Sequence, residues 1–162
     1  MATRLRILAA DDWLGTAAVD GRNLYYNTQF FNAMNNKEIE FVVAHEILHM
    51  VFDHIGRRED RDPMIYNISA DYIVNNTLVR DRIGVIPSIV SCYQDFKYEG
   101  WTSEDVYDEL FKQAKKNATT KNKLIFFVNT PIVRTIAPTI MCLYQPFGSY
   151  AHLSNIHIVS FF

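Results

Sequence analysis

The ten residues from Val42 to Val51 constrain this chain more than any other stretch, because they set His45, Glu46 and His49 into an otherwise uncharged run. On a helix, residues four apart lie on one face, one turn above each other. His45 and His49 can therefore offer two imidazole nitrogens to one tetrahedral zinc ion. Glu46 lies about 100° further round the helix. There it is within reach of a water activated by the metal, whose proton it would take as that water attacks a carbonyl. This is the physical content of His-Glu-x-x-His as a zinc signature. Val42, Val43, Ala44, Ile47, Leu48, Met50 and Val51 make the other faces too apolar for an isolated surface helix. A His or Glu buried among them without a partner would be costly.

Composition bounds the rest. At 162 residues the chain is one domain, or one domain with a tail, and 49% hydrophobic content is enough for a core. A net charge of -2 gives no sequence-wide electrostatic case for nucleic acid or an anionic membrane, so neither is expected as a partner. Cys92 and Cys142 fit neither a disulfide framework nor a Cys-rich zinc site and read as reduced thiols. Met1 to Trp13 carries Arg4, Arg6, Asp11 and Asp12 with no long apolar run, so no signal peptide is expected. A cytoplasmic location is the expectation.

Arg4 to Ala10 reads equally as a strand or a short helix. Asp20-Gly21 between two β-prone runs predicts a hairpin, with strands near 15–19 and 22–27. Such a strand beside a metal helix could bind substrate backbone by strand addition, or could be purely structural. Asn35 and Glu38 have capping-box spacing, which starts the metal helix at about Lys37. The helix is expected to run to Ile55, with Gly56 ending it. On an unbroken helix His54 falls about 180° from His45, so it reads as packing in the last turn rather than as a ligand. Arg57 to Asp62 reads as a solvated loop.

Asp62-Pro63 is an N-cap followed by proline at the first helical position, opening a second helix to about Arg80. Asn67, Asp71 and Asn75 fall at i, i+4 and i+8, a polar stripe among apolar faces. A zinc site needs a third protein ligand, and Asp71 is the best-placed carboxylate. Asn67 and Asn75 could orient Asp71 or a metal-bound His. The alternative is that Asp71 merely hydrogen-bonds the neighbouring helix. Pro87 to Gly100 reads as a long loop whose Tyr93 or Tyr98 could donate to an oxyanion, or simply pack. Thr102 and Asp105 start another helix, with Val106, Tyr107, Leu110 and Phe111 facing the core.

These stretches carry a resemblance. Thr16 to Gly21 with Tyr25 to Asn27, Val43 to His49 with His54, and Tyr66 to Asn75 together resemble a metallopeptidase domain family of bacteria and phages. Its members often stand beside von Willebrand factor A-like domains. The resemblance covers roughly residues 13 to 116 and is most specific in the two helices. It implies a zincin-like fold, zinc held by His45 and His49, Glu46 as catalytic base, and Asp71 as third ligand. It implies no particular substrate.

From Leu124 to Phe162 only Arg134 is formally charged, and Pro131, Pro138, Pro146 and Gly148 interrupt the apolar run, so no membrane-spanning helix of about 20 residues is expected. The chain divides into a domain over 1–122 and a hydrophobic tail over 123–162. The tail reads as a β-rich continuation, as a docking segment for a partner or a membrane, or as a frame-altered stretch with no fold of its own, the last being favoured. The expectation is an α+β, zincin-like fold: a small β-hairpin or sheet packed on a helical zinc-binding core. It would hydrolyse peptide or protein substrates with Zn2+ held by His45, His49 and Asp71, and Glu46 as general base. Two alternatives stay open: a non-catalytic zinc-stabilised interaction module, and a three-histidine hydrolase acting on RNA through His45, His49 and His54.

Overall fold

A computed structural model describes residues 5–120 and 157–159, with side chains over 5–116. It is an α+β arrangement in which a small sheet and two long helices enclose one main core. Strands β1 (Arg6–Ala9), β2 (Ala17–Val19), β3 (Asn23–Tyr26) and β4 (His157–Val159) form a sheet in the order β1-β3-β2-β4. β2 and β3 make the expected hairpin, Val19 pairing with Leu24 and Ala17 with Tyr26. Its turn closes on Asp20, whose carboxylate accepts the Arg22 and Asn23 N–H groups at 2.8 and 2.7 Å, while Gly21 supplies φ +87°. Arg4 to Ala10, open between strand and helix in the sequence, resolves as β1, parallel to β3 and exposed along its whole length. β4 lies antiparallel on β2, Ala17 opposite Val159. The rest of the hydrophobic tail lies outside the described residues.

The helices are α1 (Thr28–Asn32), α2 (Asn36–Val51), α3 (His54–Arg57), α4 (Pro63–Asp81) and α5 (Ser103–Thr120), with a 3-10 turn at Phe96–Tyr98. Their starts follow the sequence signals. Asn35 and Glu38 close a full capping box on α2, Asp62 caps α4 with Pro63 in its first turn, and Thr102 and Asp105 bond reciprocally at α5. Glu38 also accepts the Ser88 N–H at 2.7 Å, which ties the loop after α4 back to the start of α2.

α2 packs against both α4 and β2. Ala17, Phe41, Val42, Val74 and Leu78 form the buried centre, joined by Phe30, Phe31 and Leu48. Fully burying one side chain of this size contributes about 1.5–3 kcal/mol. β2 shows the period of two that a strand imposes: Ala17 enters this core, while Ala18 faces a second cluster of Ala10, Leu14, Trp13 and Tyr25. A third cluster, Ile65, Tyr66 and Tyr107 with Leu110 and Phe111, joins α4 to α5. Among the described residues no helix is long and apolar enough to cross a membrane.

Two expectations change here. The metal helix does not continue to Ile55: α2 ends at Val51, and Asp53 turns the chain at φ 52°, ψ 41° before α3 begins at His54. Asp is among the few residues besides Gly that visit this left-handed region, and its carboxylate accepts the Gly56 N–H at 3.3 Å. The break swings His54 into the interior, where it is fully buried. The charged stretch that follows is not simply solvated either. Arg57 grips Glu104 of α5 with two guanidinium nitrogens, and Arg61 lies over the Tyr66 and Tyr107 rings at 5.8 and 5.9 Å.

Candidate metal centre

The middle of α2 faces the middle of α4, and the polar residues of both helices meet there. His45, Glu46 and His49 are fully buried and Asp71 is 2% exposed. His45 Nε2 and His49 Nε2 stand 2.9 Å apart. Asp71 Oδ1 lies 3.2 Å from His49 Nε2 and 3.5 Å from His45 Nε2. Three donor atoms from two helices thus converge on one point. Bonds of about 2.0–2.1 Å in a tetrahedral zinc site place ligand atoms about 3.3 Å apart, so these separations suit one small cation. His45, His49 and Asp71 are the group that could hold a metal among the described residues.

The buried charges point the same way. Both Glu46 oxygens and Asp71 Oδ1 are buried without a hydrogen-bond partner. Burial, and after it the Asp71 carboxylate, pushes the Glu46 carboxyl well above the usual glutamate range. The buried residues among those described include no Lys or Arg to offset these two carboxyls. A bound cation would offset them, which makes the residues present a good fit to a metal.

The tautomer of His45 follows from its neighbours. Asn75 Nδ2 donates to the Tyr93 carbonyl at 2.9 Å, and a carbonyl only accepts, so Asn75 Oδ1 must face His45. His45 Nδ1, 2.7 Å from that oxygen, is then the protonated nitrogen. His45 Nε2 is left with its lone pair directed at Asp71 and His49. Asn75 was singled out by the polar stripe on α4, and it orients a histidine as that stripe suggested. Asn67 contributes less, its Nδ2 standing 3.5 Å from Asp71 Oδ2.

The structure also separates the two tyrosines. Tyr93 brings a buried hydroxyl without a hydrogen-bond partner, its pKa raised by burial and then by the Asp71 charge. Tyr98 packs edge-on to Tyr72 and Trp101, with the Lys97 ammonium 4.5 Å from its ring centre. His54 takes no place in the metal group: its Nδ1 is 3.0 Å from His49 Nδ1, the ring nitrogen turned away from Asp71.

Two contributors escaped sequence reasoning. Ser103, which reads as an ordinary first-turn residue, puts its Oγ 2.8 Å from His54 Nε2. Asn76, one residue past the polar stripe, clamps the loop bearing Tyr93: its Nδ2 donates to the Asp95 carbonyl at 2.8 Å and its Oδ1 accepts the Asp95 N–H at 3.2 Å. The Asn75-Asn76 pair was the available signal, since two adjacent Asn in a mostly apolar helix each need a partner.

Residues 1–125 match the model of a family described as "Putative metallopeptidase domain". The chain belongs to that family. The match spans both faces of the metal centre, from β1 through α5, and ends before most of the tail. No curated protein and no solved structure matches the chain. Membership implies a metal, and His45, His49 and Asp71 form the cluster that could bind it.

Proposed function

We propose that this chain is a zinc-dependent, zincin-like metallopeptidase acting on peptide or protein substrates. The observation that carries the reading is the fully buried Glu46 carboxyl, without a hydrogen-bond partner, beside three converging ligand atoms. His45 and His49, through their Nε2 atoms, and Asp71, through Oδ1, would hold the ion. Two imidazoles and one carboxylate are a familiar zinc donor set in hydrolytic sites that keep an open position. Zinc there would supply Lewis acidity, acidifying water and polarising a carbonyl.

The chain's own residues do the remainder. Glu46 takes the proton of the attacking water and delivers it to the leaving amine, a task suited to a carboxyl whose pKa lies above the ordinary glutamate range. Asn75 keeps His45 in one tautomer and one orientation. Tyr93 is the hydrogen-bond donor available to the oxyanion.

Glu46→Gln tests this reading, because it keeps the shape of the side chain and removes the base. Peptide hydrolysis should fall by about 10²–10⁴-fold, the usual worth of a general base, while zinc content stays at the wild-type level. Hydrolysis unchanged in the variant would remove Glu46 from the mechanism. A partner-binding activity indifferent to Glu46, with no hydrolysis in wild type, would point to a non-catalytic module.

A further inference from the structure

A line of buried polar side chains leads away from the metal centre, and hydrolysis does not by itself account for it. His49 Nδ1 stands 3.0 Å from His54 Nδ1, and His54 Nε2 stands 2.8 Å from Ser103 Oγ. The three side chains come from α2, α3 and α5, and none is more than 1% exposed. The fold goes to some length to assemble them. The left-handed turn at Asp53 is what brings His54 behind His49. Arg57, bonded to Glu104 and to the Phe52 carbonyl, locks α3 against the first turn of α5, one residue from Ser103. Tyr66 adds a bond from α4 to the same Glu104 carboxylate at 3.2 Å.

Two facing ring nitrogens form a hydrogen bond only when one is protonated and the other is bare. The contact between His49 and His54 therefore links their tautomers. With a cation taking the lone pairs of both His45 Nε2 and His49 Nε2, which stand 2.9 Å apart, the proton of the neutral His49 ring is on Nδ1. His54 Nδ1 must then accept it, so the proton of His54 is on Nε2 and is donated to Ser103 Oγ. A hydroxyl can accept or donate by rotating, so Ser103 completes this arrangement.

We propose that His54 and Ser103 are positioning residues, which hold His49 in the Nδ1-protonated tautomer with its Nε2 bare toward a metal ion. The inference rests on the metal reading above and adds the device that prepares the second histidine. The two ligands are set by different means: an amide fixes His45, and an imidazole backed by a hydroxyl fixes His49. Losing such an outer partner usually weakens metal binding by about 10–100-fold.

The test is titration of the metal-free full chain with Zn2+ alone, for wild type and three variants. His54→Leu keeps bulk and removes the acceptor, and should weaken zinc binding about 10–100-fold. His54→Asn keeps an acceptor oxygen near the position of Nδ1 and should recover most of that loss. Ser103→Ala should lose less than His54→Leu. Nitrogen-15 NMR of zinc-loaded wild type should show His54 bare on Nδ1 and protonated on Nε2, which tests the proposed acceptor directly even if His54→Leu fails to fold. Equal zinc affinity in wild type and His54→Leu, or a His54 proton on Nδ1, would overturn the assignment while leaving the metal site standing. A wild type that takes up no zinc would instead overturn the metal reading, and this one with it.

Discussion

Around Asp71 and Tyr93, single polar atoms decide what the site can do. Asp71 Oδ1 is buried beside two histidine nitrogens, and the Tyr93 hydroxyl is buried in the field of the same carboxylate. A neutral phenol there is held as a donor, because burial and the nearby negative charge both oppose its ionisation. Tyr93→Phe removes that donor and keeps the ring. It should lower kcat by about 10²-fold, the scale of one oxyanion donor, with KM and zinc content close to wild type. Steady-state kinetics with metal analysis checks this, and an unchanged kcat would leave Tyr93 a packing residue.

At the scale of elements, the site depends on how tightly α2 and α4 are pinned. The chain leaving α4 passes across the first turns of α2, where Val85 donates its N–H to the Lys37 carbonyl at 3.0 Å. Gly84 makes that approach possible: it sits at φ +65°, and a Cβ there would run into the backbone of Phe41 and the Lys37 carbonyl. Gly84→Ala should therefore destabilise the fold by about 3 kcal/mol, combining backbone strain with overpacking. Chemical denaturation measures it, and a loss under about 1 kcal/mol would show that the two elements can separate at little cost.

Local chemistry made several elements legible in the sequence. Asp20-Gly21, Asn35 with Glu38, Asp62-Pro63 and Thr102 with Asp105 each use a side chain to satisfy nearby backbone, so their partners lie within three residues. The residues that could hold a metal were brought together by the sequence for a related reason. Four-residue spacing put His45 with His49, and Asp71 with Asn75, on single helix faces. The break at Asp53 was not legible, because it uses Asp rather than Gly in a left-handed turn and depends on burying His54. Nor was Ser103, whose partner is 49 residues away. The parallel pairing of β1 with β3 is likewise set by tertiary contact rather than by the ambiguous run Arg4 to Ala10.

Over the whole molecule, α2 and α4 bring together a site in which two carboxyl groups are buried, and the buried residues among those described include no Lys or Arg. A bound cation would offset that imbalance. Membership of the metallopeptidase family over residues 1–125 agrees with it. The direct measurement is elemental analysis of the purified chain, wild type beside Asp71→Ala. About one zinc per chain in wild type, lost or greatly weakened in Asp71→Ala, is the result this account predicts. No zinc in wild type, even after refolding with the metal, or full zinc retention in Asp71→Ala, would contradict it.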